Sequence, residues 1–213
     1  MEAMGSTVEK TVYVVDDDES VRTALTRSLE KRGCNVRCFD SGEAFLQQYE
    51  PGRPGCLVLD VRMPGMSGMQ LQEQLIDKHP SLPIIFVTGH GDIPMSVRAM
   101  KSGAFEFLEK PYAVEALQEH IDNAIAKSVV LLEEEAHANE INQRFEKLTA
   151  RELDVMRLLV AGIANISNKE IARELEISHR TVDDHRARIM SKMQARSLAE
   201  LVDMSKICGI HEP

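Results

Sequence analysis

Three acidic side chains, a hydroxyl and a lysine each follow a short apolar run, so they lie at the predicted ends of strands. Asp16 and Asp17 follow the first run, and Asp60 follows the third. Thr88 ends the fourth run, and Lys110 comes just after the fifth. Because ligands of open parallel sheets bind beyond the carboxyl ends of the strands, we expect these five side chains to converge at one site.

The chemistry of this group of side chains favours a metal ion and an anion. Converging carboxylates repel one another unless a cation neutralises them, and hard oxygen ligands suit Mg²⁺. We therefore expect Mg²⁺ near Asp16, Asp17 and Asp60. Lys110 and Thr88 supply donors for an anion beside a carboxylate that can act as a nucleophile. Together they predict a site that binds a phosphoryl group.

Apolar runs and amphipathic segments alternate five times in the first two-thirds of the chain. The runs predict strands at Val12–Val15, Val36–Phe39, Leu57–Leu59, Ile84–Val87 and Phe105–Leu108. The amphipathic segments predict helices near 20–32, 42–49, 67–78, 95–102 and 113–127. Such a βα alternation predicts an α/β fold, in which helices cover both faces of a parallel sheet.

The same residues resemble the receiver domain of two-component response regulators over about residues 10–128. The resemblance rests on Asp16-Asp17, on Asp60 followed by Met63-Pro64-Gly65, on Thr88, and on Lys110-Pro111. It implies a flavodoxin-like, five-stranded parallel sheet with the strand order 2-1-3-4-5.

The receiver resemblance also implies the roles of the acidic residues. Asp60 is expected to accept a phosphoryl group from a sensor histidine kinase. Asp17, Asp60 and the backbone carbonyl of Arg62 are expected to hold Mg²⁺, with Asp16 acting through water. Lys110 is expected to pair with the phosphoryl oxygens.

Two further residues are expected to act as a switch. A phosphoryl group gives the Thr88 hydroxyl a new charge-assisted partner and so draws its loop inward. The resemblance implies that Phe107, three residues before Lys110, then fills the vacated space. As an alternative, Phe107 is simply a core residue of a buried strand.

The last third of the chain has helical periodicity without strand signals. The capping-box pattern predicts helix starts at Thr149 with Glu152, Ser167 with Glu170, and Ser197 with Glu200. A fourth helix start is predicted at Ser178. The second and third helices, Ser167–Leu175 and Ser178–Met193, are separated by two residues, which suits a helix-turn-helix.

This all-α, four-helix region resembles the LuxR-type DNA-binding domain of the NarL/FixJ family over about 145–211. The resemblance rests on Leu148–Glu152, Asn168–Ala172 and Ser178–Ile189. The loop Gly89–Asp92 and the segment Ile93–Met100 resemble the FixJ branch more specifically. The family implies promoter DNA as a partner, RNA polymerase as a further one, and a homodimer that forms on phosphorylation through the fourth helix and fifth strand.

The segment Ser178–Arg196, which contains the predicted third helix, carries a local charge of +3 in a DNA-binding region with 11 basic and 11 acidic residues. The expected DNA contacts are Lys169, Arg180, Thr181, Asp183, Asp184, His185, Arg188 and Lys192. Base reading is expected from Asp183 and Asp184, since an acid can accept from a cytosine amino group. The alternative is that one of them only pairs with Arg180 or Arg188 at helical spacing. The connection over 162–167 is about three residues longer than the family pattern.

Composition limits the other function classes. The 213 residues carry a formal charge of −9, all of it within residues 1–144, which argues against coating nucleic acid by bulk electrostatics. No apolar run is long enough to span a membrane, and the N-terminal residues do not form a secretory signal. Four cysteines without a C-x-x-C pair favour a reducing cytoplasm.

We therefore predict a receiver domain over 1–127, a helical linker over 128–147 and a DNA-binding domain over 148–213. The predicted function is a transcriptional regulator and not an enzyme. One alternative is an aspartyl phosphohydrolase of the haloacid dehalogenase type that uses Asp16 and Asp18. That mechanism needs a late acidic pair at a strand end, whereas Asp183-Asp184 lies within a capped helix. The other alternative is a regulator that binds DNA without phosphorylation.

Overall fold

The chain divides into two compact units, Met1–Glu133 and Glu134–Pro213. The structure is a computed structural model that describes residues 10–76, 78–89, 93–161 and 166–210. In these ranges no helix is both long enough and apolar enough to cross a membrane.

The first unit contains five parallel strands: β1 Thr11–Val15, β2 Asn35–Phe39, β3 Gly55–Leu59, β4 Ile84–Thr88 and β5 Glu106–Glu109. Its helices are α1 Glu19–Glu30, α2 Gly42–Gln48, α3 Gly68–Leu75, α4 Ile93–Lys101 and the first part of α5 Val114–Phe145. The sheet order β2-β1-β3-β4-β5 confirms the predicted topology.

Two apolar cores lie on the two faces of this sheet because successive strand side chains point in opposite directions. Tyr13 and Val15 belong to one core, whereas Val12 and Val14 belong to the other. Strands that are buried on both faces read as continuous apolar runs. This is why β1, β3 and β4, which are buried along their whole length, could be recognised in the sequence.

The pairing of β1 with β3 positions the acidic residues. Val15 pairs with Leu59, so Asp16 and Asp60 are the first residues beyond two neighbouring strands. The amide of Asp60 donates to the carbonyl of Val15 at 2.9 Å, which continues the hydrogen-bond ladder to the site. Sheet register, which is a property of the tertiary fold, thus brings together residues 44 positions apart in the sequence.

The second unit contains α6 Ala150–Val160, α7 Asn168–Glu174, α8 His179–Met193 and α9 Leu198–Ile207. Thr149, Ser167, Ser178 and Ser197 cap these helices, which confirms all four predicted starts. They surround one apolar core that includes Val155, Ile171, Val182, Ile189 and Leu201.

The predicted capping box at Ser197 is wrong in one detail. Ser197 accepts from the amide of Glu200 at 3.1 Å, as expected. The Glu200 carboxylate, however, accepts from the amide of Arg196 at 2.7 Å. The Glu200 carboxylate therefore bonds to the amide one residue before Ser197, in place of the Ser197 amide that a capping box requires.

Helix α5 continues through most of the predicted helical linker, 128–147. Ser128 is fully buried in the first unit, where its hydroxyl donates to the Ser81 carbonyl at 2.6 Å and accepts from the Gly55 amide at 3.2 Å. Ile141 is buried in the core of the second unit. Both positions fall inside the predicted linker, 128–147, and both are packed.

Candidate functional site

The structure brings Asp16, Asp17 and Asp60 together at the carboxyl end of the sheet. One carboxylate oxygen from each lies within 4.8 Å of the others. Asp16 is buried, Asp60 is partly buried and Asp17 is exposed. Three hard oxygen donors around an opening of this size suit Mg²⁺, so the donor set fits the predicted ion.

Lys110 is the cation that faces these acids. Its Nζ donates to Asp16 Oδ2 at 2.9 Å and lies 3.9 Å from Asp60 Oδ2. Burial by itself lowers the pKa of Lys110, but the hydrogen bond and charge of Asp16 and the charge of Asp60 outweigh it, so the pKa is raised. The ammonium is therefore charged and placed to pair with an anion at Asp60.

Asp60 lies in a setting that disfavours its own negative charge. Burial raises the pKa of the Asp60 carboxyl; the charge of Lys110 opposes this rise, and the charge of Asp16 adds to it. The Arg62 amide lies 3.4 Å from Asp60 Oδ1 and also opposes the rise. A cation bound by these acids would relieve the repulsion between them.

Two residues that the sequence analysis missed shape the loops around the acids. Arg22 of α1 donates to the backbone carbonyl of Asp16 at 2.7 Å. Gly68 begins α3, and a Cβ atom there would lie 2.1 Å from the carbonyl oxygen of Asp60. A glycine at the start of a helix that follows an acidic loop was the available signal for this close approach.

Thr88 and Phe107, the predicted switch pair, lie on neighbouring strands. Thr88 is 1% exposed at the end of β4, and its carbonyl accepts from the Lys110 amide at 2.8 Å. Phe107 on β5 is partly buried, with its ring 6.2 Å from that of Phe86. Phe107 therefore packs against the core in this structure, and its role in switching stays a prediction.

Asp18, which the phosphohydrolase alternative requires, has a structural role. Asp18 Oδ1 accepts from the Ser20 amide at 2.8 Å and from the Ser20 hydroxyl at 2.6 Å, so it caps α1. These hydrogen bonds lower the pKa of Asp18. An acid held in this ionised, capping state is unsuited to proton donation, which argues against the phosphohydrolase reading.

In the second unit, α7 and α8 form the predicted helix-turn-helix. The turn between them runs over residues 175–178, and Glu176 has a φ of +53°, in the left-handed region. On α8 the side chains of Val182, Ile189 and Met193 are buried. Arg180 and Arg188 lie on the exposed side, and so does Lys169 on α7.

Three of the predicted DNA contacts are engaged inside the unit. Asp183 accepts from the Asn168 side-chain amide. Lys192 donates to Glu152 at 2.7 Å and to the Lys147 carbonyl at 2.9 Å, so its ammonium group stabilises contacts within the unit. The Thr181 hydroxyl lies 2.7 Å from that of Ser178.

His185 is partly buried on α8. Its Nδ1 is buried without a hydrogen-bond partner among the described residues. The longer connection over 162–167 lies for the most part outside the described residues, since 162–165 are not among them.

Comparison with known protein families matches both units. The family described as "Response regulator receiver domain" matches residues 12–122, and "Bacterial regulatory proteins, luxR family" matches residues 146–205.

Curated proteins match over nearly the whole chain. FixJ of Bradyrhizobium diazoefficiens is 43% identical over 93% of this chain and 96% of its own. FixJ of Rhizobium meliloti is 45% identical over the same shares, 93% and 96%. TmoT of Ectopseudomonas mendocina, a response regulator protein, is 40% identical over 93% of this chain and 89% of its own.

Two solved structures are also similar to this chain over nearly its whole length. The response regulator StyR is 46% identical with a TM-score of 0.75, covering 93% of this chain and 98% of its own. Full-length FixJ from B. japonicum is 42% identical with a TM-score of 0.55, covering 96% and 99%.

Proposed function

The chain belongs to the FixJ type of two-component response regulators, with a receiver domain and a LuxR-type DNA-binding domain, and from this premise we propose that phosphorylation of Asp60 switches on its binding to promoter DNA. The observation that carries the proposal is the position of Asp60, within 4.8 Å of two other acids and 3.9 Å from the Lys110 ammonium.

The phosphoryl donor is a phosphohistidine of a sensor histidine kinase. An oxygen of Asp60 forms a bond to phosphorus while the phosphorus–nitrogen bond breaks, and the departing imidazole takes up a proton from solvent. Lys110 stabilises the negative charge of the transferred group. Asp16, Asp17, Asp60 and the Arg62 carbonyl would hold Mg²⁺, which supplies further positive charge to the phosphoryl oxygens.

The added charge then changes the partners of Thr88. A phosphoryl group adds charge of about −1.5 to −2 and strong acceptor oxygens, to which the Thr88 hydroxyl donates. Thr88 and its loop move towards the phosphoryl group, which leaves space beside β4. The Phe107 side chain turns inward to fill that space. The surface of α4 and β5 changes as a result.

The altered α4–β5 surface is proposed as the dimer interface. Val97 and Met100 on α4 are 45% and 43% exposed, and their spacing of three residues places them on one side of the helix. Exposed apolar side chains of this kind favour burial against a second copy of the chain.

In the second unit, α8 is proposed to enter the major groove, as the recognition helix of a helix-turn-helix does. We propose that Lys169 and Arg188 contact phosphates. Arg180 and Thr181, at the start of α8, are proposed to do the same. The dimer presents two such helices, which raises the affinity for paired half-sites. The bound dimer then acts on RNA polymerase as a transcriptional regulator and catalyses no reaction of its own.

The test of this function is phosphorylation of wild-type chain and Asp60→Asn with acetyl phosphate and Mg²⁺, followed by intact mass measurement. We expect one phosphoryl group on the wild type and none on Asp60→Asn. The matched control is Asp122→Asn, an exposed acid on α5, which should be labelled like the wild type. Full labelling of Asp60→Asn would refute the assignment.

Dependence of DNA binding on phosphorylation is measured with the same two proteins. Genomic fragments recovered by the phosphorylated chain serve as probes in a titration. Phosphorylation should tighten wild-type binding by about 5- to 150-fold, the usual range of coupling between two sites. Equal binding by both forms would instead favour the regulator that works without phosphorylation.

A further inference from the structure

One side of α8 faces away from the core and carries both hydrogen-bond donors and a hydrogen-bond acceptor. Val182, Ile189 and Met193 face the core. The exposed positions around the opposite side are Arg180, Asp184, Ala187, Arg188 and Ser191. Because residues four apart share one face of a helix, Asp184 lies between Arg180 and Arg188.

Asp183, next to it in sequence, occupies the flank of α8 that faces α7. Its Oδ1 accepts from the Asn168 side-chain amide, and its Oδ2 lies 3.2 Å from His179 Nδ1. The carbonyl oxygen of the same Asn168 side chain accepts from Arg186. Both carboxylate oxygens of Asp183 therefore have partners, and the one from Asn168 joins the first turn of α7 to α8.

Asp184 has no such partners. Within the described residues, its carboxylate forms no hydrogen bond and no ion pair, and neither acid pairs with Arg180 or Arg188. Pairs of opposite charge four residues apart stabilise a helix by only about 0.2–0.5 kcal/mol, so little free energy is lost when Asp184 contacts neither arginine. The free carboxylate remains available to a ligand at the exposed face.

We propose that Asp184 reads a cytosine in the major groove, by accepting a hydrogen bond from its 4-amino group, and that Asp183 is a positioning residue that holds α8 against α7. This inference rests on the proposed function, since it requires α8 to enter the groove. The phosphates repel a carboxylate, and the flanking charges of Arg180 and Arg188 offset that repulsion. An acid usually pairs with the cytosine amino group in the major groove, whereas adenine is usually read by Asn or Gln through two hydrogen bonds.

The test is binding-site selection by the full-length chain, treated with acetyl phosphate, from a duplex library with a randomised segment. The wild type should select a motif with at least one required C·G pair. Asp184→Ala and Asp184→Asn should lose the preference at that one position, with a loss of discrimination of about 5- to 150-fold, and should keep the rest of the motif.

Asp183→Asn is the matched control, because it removes the same charge one residue away. It should weaken binding to all sequences alike and leave the selected motif unchanged. Loss of preference at a single base pair in Asp183→Asn, with the wild-type motif retained in Asp184→Ala, would overturn the inference.

A base analogue identifies the contact itself. A cytosine analogue without the 4-amino group is placed at the position that Asp184→Ala no longer selects. It should weaken wild-type binding and leave the affinity of Asp184→Ala unchanged, as expected when the two changes remove one hydrogen bond. Equal weakening of both proteins would overturn the inference.

Two other outcomes separate this inference from the proposed function. Tighter binding of Asp184→Ala to every sequence would show that the acid only repels phosphate, and it would overturn the inference while leaving phosphorylation control intact. Conversely, suppose that phosphorylated and untreated wild-type chain bind the selected motif with equal affinity, and that Asp184→Ala loses one C·G preference in both forms. That result would support the inference and contradict phosphorylation control.

Discussion

Glu152 is a buried carboxylate at the start of α6 whose partners come from two elements. Its Oε2 accepts from the Thr149 amide at 2.8 Å, the Thr149 hydroxyl at 3.0 Å and Lys192 at 2.7 Å. Burial alone would raise the pKa of Glu152, but the hydrogen bond from Lys192, those from Thr149 and the charge of Lys192 lower it to about 2. The ionised form is thus the one that the fold stabilises.

This lowered pKa predicts how the stability of the second unit depends on pH. In the unfolded chain Glu152 titrates near 4.5, and in the folded chain near 2. Its contribution is therefore fully present above pH 4.5 and is lost as the pH falls towards 2. The hydrogen-exchange protection of α6 and α8 amides in the full-length chain, taken relative to the unfolded-chain rate at each pH, should decrease over this interval.

Glu152→Gln should remove this part of the pH dependence and accelerate exchange at neutral pH, because Lys192 loses its charged partner. The control is Glu170→Gln, which alters the same kind of capping box at the exposed start of α7. Its effect on α8 should be much smaller. Equal effects of the two variants would show that Lys192 does not stabilise the unit through Glu152.

Helices α2 and α3 both begin with a glycine, yet their surroundings differ. A Cβ atom at Gly68 would lie 2.1 Å from the Asp60 carbonyl oxygen, which belongs to the backbone. A Cβ atom at Gly42 would lie 3.0 Å from the sulfur of Met66, at the end of a flexible side chain. The first contact can be relieved only by moving the loop that carries Asp60.

Gly68→Ala should lower the free energy of unfolding of the first unit by about 1–3 kcal/mol and slow the labelling of Asp60. Gly42→Ala is the control and should change stability by less than about 1 kcal/mol. The three tyrosines, Tyr13, Tyr49 and Tyr112, all lie in the first unit, and the chain has no tryptophan. Tyrosine fluorescence in urea therefore follows this unit alone. Similar values for both variants would contradict the argument.

Helix starts were largely predictable because capping is a local interaction. The side chains of Thr149 and Ser167 bond to amides three residues away, as their spacing indicates. The exception at Glu200 arises because the Arg196 amide competes for the same carboxylate. The burial of Ser128 and Ile141 within the predicted helical linker was not predictable, since it depends on the two cores and not on neighbours in sequence.

At the scale of the whole molecule, dimerisation through α4 and β5 predicts the effect of a charge on α4. Val97→Asp should raise the dissociation constant of the phosphorylated dimer by at least about tenfold, or about 1.4 kcal/mol, because the interface would bury an unpaired charge. Light scattering at several concentrations measures this constant.

The control is Val130→Asp on α5, where the side chain is 46% exposed, much like the 45% of Val97. This variant should dimerise like the wild type. An unchanged dimer in Val97→Asp, or equal weakening in both, would remove α4 from the proposed interface.

The sequence by itself determined the α/β class, the helix-turn-helix and the family, all of which the fold and the comparisons confirm. It could do so because strand runs, caps and family motifs are encoded by neighbours along the chain. Only the tertiary structure decided that Asp16 bonds to Lys110, that Lys192 is held by Glu152, and that Asp183 is engaged while Asp184 is free. These contacts join distant segments or distinguish two sides of one helix, and they depend on how the elements pack.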